Sequence, residues 1–178
     1  MPEALLERNE AGSLYPAGDG WSVVNVRDAQ WLDAAPLGLY TPFEGENARF
    51  DEVGINVAIL RPGEPSCMYH AEDAQEGFLV LAGECVLVIE SEERQLRAWD
   101  FVHCPPMTEH VFVGAGDGPC VLVGIGARRK GRGLVYPVSE VASRHGAGVE
   151  EETSDPSRAY ARFAQPRPTT SPEELPAL

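Results

Sequence analysis

His70, Glu72, Glu76 and His110 are the residues of this chain whose types and spacing could hold a divalent metal ion. The first three fall in the run Tyr69 to Gly83. On one continuous strand their even-numbered side chains project from the same face. Two carboxylates and an imidazole turned into a protein interior stay there only if they are paired, hydrogen-bonded or bound to a cation. Imidazole nitrogen with carboxylate oxygen suits Fe(II), Mn(II), Zn(II) or Ni(II), and two carboxylates on a divalent ion would favour the harder Mn or Fe. Glu76 is also the candidate catalytic base. Glu72, followed by Asp73, has a second reading as an exposed acidic turn if the strand breaks there. His103 shares a strand with Phe101 and is either a further base beside the centre or a hydrogen-bonded structural histidine. Cys67 and Cys104 flank the set in sequence, and their commoner role is that of small buried hydrophobes.

The elements that must position these groups read as short strands. Apolar runs recur at hairpin spacing over Val53 to Leu60, Ser66 to Ala71, Gly77 to Leu81, Cys85 to Glu90, Arg94 to Ala98, Phe101 to Cys104, His110 to Val113 and Cys120 to Ile125. Turn residues separate them at Arg61-Pro62-Gly63-Glu64, Ala82-Gly83-Glu84, Cys104-Pro105-Pro106 and Gly114 to Gly118. That is the pattern of an all-β sandwich or barrel. Residues 1–20 read as a loosely ordered arm, Trp21 to Val26 as a first strand, Asp28 to Leu32 as one helical turn and Ala35 to Glu46 as loop. The domain is expected over 21–138, with its motif core at 53–127, followed by a helical segment at 139–164 and a disordered, proline-rich tail at 165–178. Val138 to Arg144 and Asp155 to Phe163 are the expected helices, the second with Asp155 as N-cap and Pro156 in first position.

Composition narrows the function further. In 178 residues Lys and Arg number 14 against 28 Asp and Glu, a net charge of −14, which argues against nucleic acid and anionic membrane as partners. The basic cluster Arg128-Arg129-Lys130-Gly131-Arg132 stands apart and reads as a solvated turn. No run of about 18 apolar residues is present, so a soluble, cytoplasmic protein is expected. Four scattered cysteines without a Cys-x-x-Cys pair read as free thiols. Gly-rich phosphate loops and a nucleophile elbow are missing from the sequence, which disfavours nucleotide chemistry and acyl-enzyme hydrolysis.

Gly63, His70, Glu72, Glu76 and Gly83 resemble the first motif of the cupin family, with one extra residue after the first glycine and Glu72 where the second histidine stands. Trp99, Pro105, Met107, His110 and Gly114 keep the spacing of the second motif while three of the five residue types differ. A register with Tyr69 and Ala71 at the two histidine positions makes a poorer site, and both registers agree on Glu76. The resemblance implies a single double-stranded β-helix, a jelly-roll barrel with short peripheral helices. It also implies one metal on His70, Glu72, Glu76 and His110, and a homodimer. A metal-dependent dioxygenase, isomerase or lyase acting on a small molecule is the leading expectation. A ligand-binding module without turnover and a metal-free structural barrel are the alternatives, because this fold hosts many functions. Met68, Phe78, Val80, Met107 and Phe112 are candidates to line the barrel around the metal, or plain core.

Overall fold

β-Branched and leucine-rich segments bounded by Gly and Pro turns pair here into antiparallel sheets. The computed structural model describes residues 1–45, 47–128, 131, 133–173 and 175. In chain order the strands are β1 (Leu6–Arg8), β2 (Leu14–Pro16), β3 (Trp31–Asp33), β4 (Leu39–Thr41), β5 (Val53–Leu60), β6 (Ala71–Glu72), β7 (Glu76–Ala82), β8 (Glu84–Ile89), β9 (Glu92–Arg97), β10 (Phe101–Cys104), β11 (His110–Ala115), β12 (Cys120–Ala127) and β13 (Leu134–Val135). Helices α1 (Glu140–Arg144) and α2 (Pro156–Ala159) follow, then β14 (Arg167–Thr169).

Two sheets face each other. The larger runs β10-β7-β12-β5-β4-β3-β14 and the smaller β11-β8-β9. Ala58, Leu60, Val80 and Leu122 from the larger meet Cys85, Leu87 and Phe112 from the smaller in one buried cluster. Alternation along each strand decides this: on β7 the even positions Glu76, Phe78 and Val80 share the inner face, and on β11 so do His110 and Phe112. The outer face of the smaller sheet is also covered, since Val88 and Val111 pack against Ala142 of α1. Both faces of β11 are therefore buried. This is the double-stranded β-helix architecture expected from the motifs.

The turns explain how the second motif keeps its spacing with altered residues. Trp99 and Met107, at two positions where the motif carries glycine, both adopt positive φ, 76° and 66°. Met107 N–H donates to the Glu72 carbonyl at 2.7 Å, which stitches this turn to β6 and helps hold the left-handed conformation. Gly83 closes the β7–β8 hairpin at φ 73°, where an added Cβ would lie 2.3 Å from the Pro119 carbonyl oxygen.

The ends differ from the sequence reading. Residues 1–20 contain the β1–β2 hairpin rather than a loose arm. Trp21 makes a single bridge to Glu3 in place of a strand over 21–26, and the expected turn of helix at 28–32 gives way to β3. The loop read over 35–46 contains β4, apart from Glu46, which lies outside the described residues. Within the tail, β14 pairs with β3. All these strands are short and lack periodicity of their own, so tertiary pairing rather than local pattern makes them. Helix α1 starts after Ser139, and α2 is capped by Asp155 as expected but ends at Ala159. Of the basic cluster, Arg128 is held by Glu44 through two 2.6 Å contacts; Arg129, Lys130 and Arg132 lie outside the described residues. No helix among the described residues is long and apolar enough to cross a membrane.

Candidate metal centre

Three separate pieces of chain deliver three donor side chains to one point. Glu76 opens β7 on the larger sheet, His110 opens β11 on the smaller, and His70 is joined to His110 by a two-way backbone bridge with N···O distances of 3.2 and 2.9 Å. One ligand atom from each lies within 4.8 Å of the others. The imidazole rings sit 4.9 Å apart, and Phe78 closes the inner side against His110 at 5.2 Å and Phe112 at 4.6 Å.

Backbone carbonyls set the tautomer of both histidines. His70 Nδ1 lies 2.8 Å from the Met68 carbonyl oxygen and His110 Nδ1 lies 3.0 Å from that of Thr108. A carbonyl only accepts, so each Nδ1 carries the hydrogen and each Nε2 is turned to the centre. His110 Nε2 then faces Glu76 Oε2 at 3.6 Å. Burial, followed by the charge of His70, pushes the His110 pKa down to about 4, so at neutral pH this contact is not an ion pair. A bare nitrogen lone pair and a carboxylate oxygen face each other, and a cation or proton between them reconciles the two. His70 supplies the proton in the metal-free centre: burial opposes its charge, but Cys67, the Met68 carbonyl and Glu76 outweigh burial and hold its pKa up at about 9. Two imidazoles with Nδ1 anchored, plus one carboxylate, fit a divalent transition metal.

Local sequence makes room for this set. Gly124 and Gly126 fall on the inner face of β12, beside Phe78 and Glu76 in the register. A Cβ on Gly126 would lie 3.4 Å from Glu76 Oε1, and one on Gly124 3.0 Å from Asn56 Oδ1. A side chain at either position would press on Asn56, Phe78 or Glu76, so glycine lets these side chains lie close against β12.

Glu72 is not part of the group. The chain bends between β6 and β7, over Asp73 to Gln75, so the same-face argument does not carry from Glu76 back to Glu72. Instead β6 pairs with β13, Glu72 opposite Leu134. His103 also falls away: it lies opposite Gly77 on the exposed outer face of β10, while Val102 and Cys104 turn inward. Cys67 lies 3.6 Å from His70 Nδ1, on the anchored side of that ring. Burial and the nearby Glu76 and Glu90 charges push the Cys104 thiol up to about 11, which suits an inert core residue.

The centre opens into a cavity of about 710 Å³. Phe78 and Phe112 line it as expected, but Met68 is buried behind it with Tyr136 and Ala159, Val80 belongs to the core between the sheets, and Met107 is exposed on its turn. Its outer wall comes from residues 156–166, including Tyr160 and Phe163, and from Leu37 and Tyr40. No local pattern in the sequence points to these residues. The Asp155-Pro156 cap announces a helix but not where the helix lands.

Residues 56–126 match the family model described as the cupin domain. That match, on this architecture, shows a cupin domain over these residues. Its fold is similar to two solved structures whose names include sugar phosphate isomerase. One is from Acidithiobacillus ferrooxidans (24% identity, TM-score 0.49, covering 56% of this chain and 65% of that one), the other from Silicibacter pomeroyi (22%, 0.49, 61% and 66%). A polyketide cyclase from Streptomyces resistomycificus is similar at 15% identity and a TM-score of 0.47, covering 56% of this chain and 71% of that one. The chain spans just under two thirds of the first two, and at these identities the likeness concerns the fold alone. No curated protein matches the sequence.

Proposed function

We propose that this cupin is a metal-dependent enzyme acting on a small organic molecule, of the dioxygenase or the isomerase/lyase kind. The observation that carries the reading is the facing of His110 Nε2 and Glu76 Oε2 beside His70, at the floor of a cavity large enough for a ligand. His70, Glu76 and His110 would hold the ion, and two histidines with one carboxylate is the set that suits Fe(II) with positions left for substrate. A bound ion supplies Lewis acidity toward substrate oxygens. The chain contributes the rest: Phe78 and Phe112 exclude water from one side, and Glu76 is placed to accept a proton from a ligand in the cavity.

Elemental analysis after purification without an affinity metal tests the centre. About one transition metal per chain is expected, falling below a tenth of that in His110→Ala; equal metal in both proteins defeats the proposal. Oxygen uptake by the Fe(II)-loaded protein with small catechols, thiols and keto acids separates the dioxygenase from oxygen-independent chemistry, and product formation under any metal separates either from a binding module.

We also propose a homodimer, through the outer face of the larger sheet. Phe101, Leu79, Leu81, Ile125, Ile55 and Val53 share the outer face of the larger sheet by register and carry no charge, in a chain of net charge −14. Phe101 is 67% exposed and the adjoining Trp99 76%. A charge-free face on an acidic protein is where a second copy meets the least repulsion.

A further inference from the structure

The cavity is sharply divided in character. At its floor stand His70, Glu76 and His110; its walls and cover are mainly aromatic and aliphatic, among them Tyr40, Phe78, Phe112, Leu122 and Phe163. Glu76 is the only acid among the described lining residues, and none of them is Lys or Arg. The cations nearest to it in sequence, on the covering segment, are turned to other tasks. Arg158 pairs with Glu151 at 2.8 Å, and Arg162 donates to the Gly146 and Gly148 carbonyls at 2.6 and 3.2 Å while lying over the Phe163 ring.

The charge balance then selects the ligand. A divalent ion with two neutral imidazoles and one carboxylate leaves a single positive charge at the floor. One negative charge on a ligand is balanced there. A second would find no Lys or Arg among the described lining residues, only neutral groups such as Asn56, Ser66, Ser157 and Gln165, and a buried charge without a counter-charge is disfavoured or forced to take up a proton.

We propose that the cavity takes a neutral or singly charged organic molecule with an oxygen-bearing head, a carboxylate, phenolate or enol, and an aromatic or branched apolar body, and that it rejects phosphorylated molecules. The proposal rests on the reading of this cavity as the ligand site of the metal centre. The head lies toward His70, Glu76 and His110, and the body lies between Phe78, Phe112 and the cover.

Benzoate and phenyl phosphate share a ring and differ in the head, and at pH 8 the phosphate monoester, with its second pKa near 6, is a dianion. Calorimetric titration of each, and of ribose 5-phosphate, into the Zn(II)-loaded protein at pH 8 is the test, with metal content measured before and after. Zn(II) keeps redox chemistry out of the measurement. Benzoate should bind at least tenfold more tightly than phenyl phosphate and ribose 5-phosphate. Phe163→Arg, which places a cation in the cover, should shrink the benzoate preference to less than threefold. Equal or tighter binding of either phosphate by the unaltered protein overturns the inference, as does a protein that holds its metal yet binds no benzoate. A benzoate preference unchanged in folded Phe163→Arg overturns it too, because a missing cation would then not be the cause. If that variant does not fold, the comparison in the unaltered protein decides. Failure to hold Zn(II) defeats the proposed centre itself and is recognised separately from the metal analysis.

Discussion

His70 and His110 face the same carboxylate with opposite protonation, because their neighbours differ. His110 has only the Thr108 carbonyl to offset burial and the charge of His70, whereas His70 has Cys67, the Met68 carbonyl and Glu76. The folded-state pKa of His70 is raised from 6.5 to about 9, so the stability it contributes is fully present below pH 6.5 and is lost as pH rises through about 9. Metal must displace that proton. Apparent metal affinity is therefore expected to rise by about tenfold per pH unit as pH climbs towards 9 and to level off above that, where His70 is already neutral. Competition titrations with a chromogenic chelator at several pH values check this, and a flat profile would mean that no proton is displaced.

At the scale of elements, the site depends on a strap that the sequence leaves inconspicuous. Helix α2 and the residues after it close the cavity and are tied to the segment bearing His70 at Met68, whose N–H donates to the Tyr160 hydroxyl at 3.1 Å and whose sulfur accepts from Arg162 at 3.8 Å. Met68 is fully buried, so removing the acceptor leaves its N–H without a partner. Tyr160→Phe is expected to cost about 1–3 kcal/mol, seen as a melting point several degrees lower in a protein of this size. Melting of the variant unchanged from the parent would show that the strap is held by its other contacts. The same element shows how unequal legibility was. Asp155 and Pro156 announced α2 correctly, since a cap is a local interaction between neighbouring residues. That Tyr160 would reach Met68, 92 residues earlier and two before His70, has no local signature.

For the molecule as a whole, metal and self-association are the two expected sources of additional stability. An ion that binds only the folded state adds about 2.7 kcal/mol at a hundred times its dissociation constant. Chelation should therefore lower the melting temperature by roughly 5–10 °C in a chain of this length. An unchanged melting curve in verified metal-free protein would show that His70, Glu76 and His110 lose nothing when the ion leaves. Light scattering should give twice the 19.3 kDa chain mass at micromolar concentration, and Phe101→Glu, on the outer face, should return the monomer. A monomer mass for the unaltered chain would remove the dimer.

His70, Glu76 and His110 could be picked out from sequence because residue type, parity and a proline turn are local properties, and the strands over 53–60 and 101–104 were legible to the residue for the same reason. Glu72 could not be judged that way. Parity holds only along an unbroken strand, and the bend between β6 and β7 is set by pairing of Ala71 and Glu72 with Leu134 and Val135, far along the chain. His103 illustrates the opposite case: the alternation was visible, but which face is inward is decided by the sheet that packs against it. The candidate donor types, most of the strand pattern and the acidic net charge were all legible in the sequence. Which donors meet, that Gly126 lets Glu76 lie close against β12, and that the C-terminal strap closes the cavity were decided in three dimensions, because those are distances between segments that no local interaction encodes.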